Sequence, residues 1–154
     1  IGLRFFNIFG ERQDPEGAYA AAIPKFIRAL LKHEAPVVHG DGHQTRDFTY
    51  VGNAVQAVQL ALETPEACAG EVFNIAYGDS CDLLDLIGKL QSRLARIDPA
   101  IAGVGVEHAP PRAGDVRASL ADVSKAKEQL GYAPRFSLDE GLERAVPWYA
   151  EHWR

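Results

Sequence analysis

Apolar residues in this chain change their period as the sequence is read, and that alternation limits the fold more than any single motif. Leu3 to Phe9 is a continuous aromatic and β-branched run, which predicts a buried strand ended by Gly10. Glu11 to Gly17 is polar, with Asp14-Pro15-Glu16-Gly17 a turn signal. Ile23, Phe26, Ile27, Leu30 and Leu31 then recur at i, i+3, i+4, i+7 and i+8, one face of a helix running from about Ala20 to Lys32, with Pro24 tolerated in its first turn. Val37-Val38 and Phe48-Thr49-Tyr50-Val51 flank Gly40-Asp41-Gly42, whose Asp-Gly step suits the positive φ angles of a tight loop, so 37–51 reads as a β-hairpin. Ala54, Val55, Val58, Ala61 and Leu62 predict a second amphipathic helix from Asn53 to Thr64, stopped by Pro65.

The same alternation continues to the end. Val72 to Ala76 reads as a short buried strand, ended by Gly78-Asp79. Asp82 or Ser80 caps a third helix with Leu83, Ile87, Leu90, Leu94 and Ile97 along one side. Val104 to His108 is a candidate strand, followed by a loop broken by Pro110, Pro111 and Gly114. Asp122 opens a short helix with Val123, Ala126 and Leu130 inward, Gly131 just past its end and Pro134 beyond. Ser137-Leu138-Asp139-Glu140 has capping-box spacing and starts a last helix, buried through Leu142, Ala145, Val146, Tyr149 and Trp153 and expected to bend at Pro147. Short strands interleaved with about five helices make the chain α/β, or α+β, and 154 residues suffice for one domain over 1–154.

Composition narrows the function. The formal net charge is −5, without a basic stripe, which argues against a nucleic-acid partner. An anionic small ligand is compatible only with arginines acting locally against that field. Cys68 and Cys81 lack neighbours at metal-ligand spacing and read as free thiols of a reducing compartment. With no apolar run of spanning length and no signal peptide at Ile1, the expected location is cytoplasmic. The chain opens directly into a strand and contains no methionine, as a piece of a longer protein would.

The chemistry-bearing motifs of a self-sufficient enzyme are missing. The fourteen glycines hold no dinucleotide fingerprint, and none of the five tyrosines has a lysine four positions on. His39 and His43 flank the Gly40-Asp41-Gly42 turn without a third ligand nearby, so no metal is expected. What the chain does carry is a set of anion and diol handles in its irregular segments. Arg46 follows the turn, Arg112 and Asp115 share one loop, and Asn7 stands near the end of the first strand. Two guanidinium groups and an amide suit a diphosphate, and a carboxylate accepting from a vicinal diol suits ribose. On spacing alone, an ion pair within the Arg112–Asp115 loop is the favoured account of those two residues.

Six motifs, in order, carry a resemblance. They are Leu3-Arg4-Phe5-Phe6-Asn7-Ile8-Phe9-Gly10 with Gln13-Asp14-Pro15; Ala18-Tyr19-Ala20-Ala21-Ala22-Ile23-Pro24-Lys25; Gly40-Asp41-Gly42 with Arg46-Asp47-Phe48; Phe73-Asn74-Ile75-Ala76; Arg112-x-Gly114-Asp115-Val116; and Lys125-Ala126 with Leu130-Gly131-Tyr132-x-Pro134. Together they resemble the C-terminal, substrate-binding part of the extended short-chain dehydrogenases that act on nucleotide sugars, most closely the UDP-N-acetylglucosamine/UDP-glucose 4-epimerases. The resemblance implies that Asn7 donates to a phosphate and that Ala21 and Ala22 meet the uracil. Arg46 and Arg112 then clamp the diphosphate, and Asp115 accepts from the ribose. Val37 stands where relatives often place an aromatic against the base, and Gln13 lies near the nucleotide. Phe5 replaces a tyrosine found beside the nicotinamide of NAD in many relatives.

In the family, NAD oxidises the sugar at C4 and returns hydride to the opposite face of a 4-keto intermediate. The resemblance places the cofactor and the Tyr-Lys pair on a preceding N-terminal Rossmann domain. This chain alone is therefore expected to have no catalytic residue of its own, to bind no NAD, and to self-associate or fray along its first strand. Gln13-Asp14-Pro15 and Tyr19-Ala20-Ala21 favour an epimerase over a dTDP-sugar 4,6-dehydratase or a related reductase. A standalone, non-catalytic nucleotide-sugar-binding module is the alternative of a different class.

Overall fold

The computed structural model describes residues 1–16, 21–64 and 68–153. Gly17, Ala18, Tyr19, Ala20 and Pro65, which carry parts of the turn, helix-start and helix-stop expectations, lie outside the described residues. The leading apolar run does not make one strand. It divides into β1 (Gly2–Phe5) and β2 (Ile8–Phe9), because the two halves pair with different partners. β1 runs parallel to β6 (Val72–Ile75), and β2 parallel to β5 (Thr49–Tyr50). Among the described residues, β1 is paired along one edge only.

The expected hairpin over 37–51 is corrected. Its turn is present, with φ of +81° at Gly40 and +85° at Gly42. The strands on either side do not pair with each other: β3 (Val37–His39) lies parallel to β8 (Glu107–Ala109), and β4 (Thr45–Arg46) antiparallel to β7 (Cys81–Asp82). The reason is what the turn rests on. A Cβ at Gly42 would sit 2.6 Å from the Leu84 side chain, and the Gly42 carbonyl accepts from the Leu83 and Leu84 N–H groups at 3.1 and 3.3 Å. The turn is therefore docked on the first residues of helix α3 (Leu83–Leu94), and the chain leaving it is directed onto β7 rather than back along β3.

Helices α1 (Ala22–Leu31), α3 and α5 (Leu138–His152) enclose the larger core, with Phe9, Ile27, Leu30, Leu86, Leu90, Leu94, Leu142 and Tyr149 buried among them. The stripes expected for α1 and α5 are the buried faces, and the Ser137/Glu140 capping box closes the start of α5 as its sequence predicts. Asp82 caps α3 by accepting from the Asp85 N–H at 2.7 Å. Ile97 lies past the end of α3 and is exposed, against expectation. A short 3-10 turn (Pro99–Gly103) occupies the residues before β8, which displaces the expected 104–108 strand to Glu107–Ala109.

Helix α2 (Val51–Glu63) begins two residues earlier than its pattern suggests, and its inward face is different. Asn53, Ala54 and Ala57 are buried, whereas Val55, Val58 and Leu62 are exposed. Asn53 is accommodated in the interior because both ends of its amide are bonded: Nδ2 donates to the Phe136 carbonyl at 2.7 Å, and Oδ1 accepts from the Arg135 and Phe136 N–H groups. α2 and α4 (Ser124–Leu130) cover β1 and β6, closing a second cluster around Phe73, Ile75 and Tyr132. Asp122 stands just outside α4 and accepts from the Ser124 N–H, and Gly131 ends the helix in the left-handed region.

Gly141, inside α5, explains how that helix reaches β2. A Cβ there would lie 2.7 Å from Phe9 Cζ and 2.8 Å from Tyr50 Cβ. Alanine is the better helix former by about 1 kcal/mol, but forcing a methyl into a closed contact costs roughly 1–3 kcal/mol. Gly141→Ala is therefore expected to lower the unfolding free energy in urea titration by up to about 2 kcal/mol; a stabilised variant would show that α5 does not close on β2 in this way.

Candidate functional site

One cavity of about 590 Å3 opens where β3, the start of α1 and the loop after β8 meet. That volume is ordinary for a small-molecule site. All eight substrate-contact residues expected from the sequence line it: Asn7, Gln13, Ala21 and Ala22 on one side, Val37, Arg46, Arg112 and Asp115 on the other. Phe5 does not. It stands half-exposed on β1, outside this cavity.

Arg46 is the most firmly placed of the charged groups. Thr45 is held on both sides, by β7 and by hydrogen bonds with Arg117 and Ser119. The Arg46 guanidinium then donates from Nη1 to the carbonyls of Thr45 and Val116 at 2.7 and 2.6 Å, and from Nη2 to Asp115 Oδ1 at 2.5 Å. Its side chain keeps 17% exposure, against 33% for Asp115. Two donors on Nη1 and one on Nη2 are thus engaged, leaving Nε–H and the second Nη2–H for a ligand. The pair answers the two accounts left open by the sequence: Asp115 pairs with Arg46 across the chain, not with Arg112 within its own loop.

Arg112 reaches the same cavity through a tight turn. The Asp115 N–H bonds the Arg112 carbonyl at 3.3 Å, and Gly114 takes φ of +78°. Among the described residues, neither Arg112 nor Lys25 has an ion-pair partner. Three cationic side chains and one carboxylate therefore line a cavity in a chain whose net charge is −5. Asn7 is partly committed, since its Nδ2 donates to the Asp47 carbonyl at 3.2 Å. Ala21 is the residue before α1 and offers no side-chain cap, so the first N–H groups of that helix point outward without intrahelical acceptors.

Lys25, His39 and Gln44 also line the cavity and escaped the sequence reading as ligand contacts. His39 was legible: in a strand it shares a face with Val37, while Val38 between them is buried. Its Nδ1 lies 3.1 Å from the Pro110 carbonyl, an acceptor only, so that nitrogen carries the proton and Nε2 is the free one. Lys25 shares the first turns of α1 with Ala21 and Ala22, a helical-face signal of the same kind. Gln44 had no such signal; it is buried in a turn, with Nε2 donating to the His39 carbonyl at 2.7 Å. No group of three or more metal-ligating side chains occurs among the described residues.

Beneath Arg46, Asp47 is fully buried. Its Oδ1 accepts from the Tyr77 N–H and the Thr49 hydroxyl, and its Oδ2 from the Gly78 and Ala121 N–H groups. Burial pushes its carboxyl pKa up, and these four hydrogen bonds pull against that shift.

Lys25, Arg46, Arg112 and Asp115 thus converge, from separate segments, on one cavity set in an α/β frame. The chain belongs to the GDP-mannose 4,6 dehydratase family, which matches residues 1–145. It is 38% identical, over 95% of its own length, to a putative UDP-glucose 4-epimerase of Methanocaldococcus jannaschii, and covers 44% of that protein. Among solved structures it resembles the UDP-N-acetylglucosamine 4-epimerase of Methanobrevibacter ruminantium in complex with UDP-N-acetylmuramic acid. That likeness has a TM-score of 0.85 and 37% identity, and covers 97% of this chain and 45% of the other. It also resembles the UDP-glucuronic acid 4-epimerase of Bacillus cereus in complex with NAD, with a TM-score of 0.80, 32% identity, and coverage of 99% and 45%. The chain thus spans less than half the length of the relatives it matches. The α/β fold and the family read from the six motifs are both borne out.

Asp47→Asn keeps the shape of the carboxylate but turns an NH2 group toward N–H donors. Leaving such buried groups unsatisfied costs about 1–3 kcal/mol. Thermal and urea unfolding are expected to register a loss of that size, and unchanged stability would show that these contacts do not hold the site's foundation.

Proposed function

We propose that this chain is the substrate-binding part of an NAD-dependent nucleotide-sugar 4-epimerase, and that its cavity takes the UDP portion of the substrate. The observation that carries the reading is the convergence of Arg46, Arg112 and Asp115, from segments far apart in sequence, on one cavity. In this reading Arg46 and Arg112 grip the diphosphate, with the Asn7 amide as a further donor. Asp115 accepts from the ribose hydroxyls. The N–H groups at the start of α1, beside Ala21 and Ala22, meet the uracil carbonyls, and Val37 with the His39 ring forms the wall against the base. Gln13 closes the end near the nucleotide.

The residues present do not fit NAD. Phe5 is the one side chain assigned to the nicotinamide; it is half-exposed and away from the cavity, and the chain has no glycine fingerprint to cradle a pyrophosphate. The cofactor, and the groups that move the C4 proton, belong in this reading to an N-terminal Rossmann domain. The free edge of β1 and the exposed Val55, Val58 and Leu62 on α2, which packs on β1, are the surface offered to that domain. Without it, the same edge is the expected seat of self-association. No helix among the described residues is long and apolar enough to cross a membrane, and a cytoplasmic location fits a nucleotide-sugar substrate.

Calorimetric titration with UDP tests the reading. Binding is expected, and Arg46→Ala and Arg112→Ala should each weaken it about 10-fold or more, as loss of a charge-assisted hydrogen bond does. UDP should bind more tightly than 2′-deoxy-UDP, and Asp115→Ala should abolish that preference. No binding of UDP at millimolar concentration would overturn the assignment.

Turnover is a separate matter. The chain alone is expected not to interconvert UDP-N-acetylglucosamine and its C4 epimer in the presence of NAD, as judged by chromatography of the sugars. Product formation by this chain would place the catalytic groups within it.

A further inference from the structure

Helix α5 contributes no residue to the cavity, yet one of its side chains grips the segment that leads into it. Tyr149 is fully buried, its ring packed edge-on against Trp148 at 5.1 Å and tilted against Trp153 at 4.3 Å. Its hydroxyl donates to the Gly10 carbonyl at 2.5 Å and accepts from the Gln13 N–H at 3.2 Å. Burial pushes this phenol up to about 12, so the hydroxyl stays neutral and keeps its proton for Gly10.

The two bonds span a turn that the local sequence does not favour. Arg12, between them, has φ of +66°, a left-handed conformation that costs a side-chain-bearing residue. Gly10, at the other end, is pressed against Val51: a Cβ there would lie 2.5 Å from Val51 Cγ1. The turn thus has a fixed floor and a strained apex, with the Tyr149 hydroxyl bridging its two arms. What the turn delivers is Gln13, whose Nε2 donates back to the Ile8 carbonyl at 3.1 Å and whose side chain walls the cavity.

We infer that Tyr149 is a positioning residue for the cavity: its hydroxyl holds the Gly10–Gln13 turn in its left-handed form and thereby sets the Gln13 wall that a bound nucleotide meets. The inference rests on the nucleotide reading of that cavity. It assigns Tyr149 no contact with ligand.

The test compares UDP affinity, by calorimetry, for the unaltered chain, Tyr149→Phe, Gln13→Ala and the double variant, repeated in the longest natural polypeptide that contains these residues. Phenylalanine keeps the ring packing and removes only the oxygen. Tyr149→Phe should weaken UDP binding roughly three- to tenfold, the range expected for a net hydrogen-bond contribution. Because Tyr149 acts through Gln13, the double variant should bind no more weakly than the weaker single variant. Tyr149→Phe that melts earlier but binds UDP as the unaltered chain does would make the residue purely structural and overturn the inference, as would additive losses in the double variant.

Failure of the unaltered chain to bind UDP would instead remove the nucleotide reading, and this inference with it. Should Tyr149→Phe not fold, hydrogen exchange on the unaltered chain reads the same coupling. UDP should slow exchange of the Gln13 amide severalfold, because a turn that favours ligand is favoured by ligand. Equal exchange with and without UDP would overturn the inference.

Discussion

The buried carboxylate of Asp47 is the contact on which the arrangement of this molecule depends. Four donors converge on it, from Thr49 at the start of β5, from Tyr77 and Gly78 after β6, and from Ala121 before α4. No single secondary structure element connects these segments. Asp47 therefore does what a β-sheet would do in a more regular fold: it sets the relative positions of strands that do not pair with one another. Its folded pKa is pushed above the unfolded value by burial, so the charged form is held at a cost that is absent below the unfolded value and grows as pH rises through it. The return is geometric. A buried acceptor with two oxygens and four donors admits few alternative packings, which is the role best attested for buried charge.

Arg46 follows from that anchor. With Asp47 fixed on one side and Thr45 stitched between β7 and the 117–119 segment, the guanidinium has its carbonyl and carboxylate partners in place without a ligand. A donor set organised in advance loses little freedom on binding. The Asn7 amide is tied to the same point through the Asp47 carbonyl. Two sides of the proposed diphosphate site are thereby referred to one buried residue. Local concentration of Lys25, Arg46 and Arg112 then makes the cavity cationic within an acidic chain.

Much of this was legible before any coordinates. The helical stripes of α1 and α5, and that of α3 as far as Leu94, are their buried faces, since a 3.6-residue period on a large apolar core leaves one orientation. The eight residues that the family resemblance assigns to the substrate line one cavity. The failures share a cause. The 37–51 hairpin was inferred from a correct turn, but Leu84 beneath Gly42 decides where the following strand goes. The stripe of Val55, Val58 and Leu62 is a good helical face that is left exposed. Asn53 took its place because Arg135 and Phe136, more than eighty residues away, offered partners for both ends of its amide.

The sequence by itself determined the local elements and the kinds of chemistry available, because period, capping and turn propensity act over a few residues at a time. It also determined that the chain carries the motifs of its family in order, since side chains that meet a ligand are identities rather than arrangements. Only the tertiary structure decided which strands pair, which helix face is covered, and that Asp115 is bonded to Arg46 across the fold. Those outcomes turn on contacts such as Gly42 on Leu84 and Tyr149 on Gly10, between residues whose separation in the chain gives no local signal of their approach.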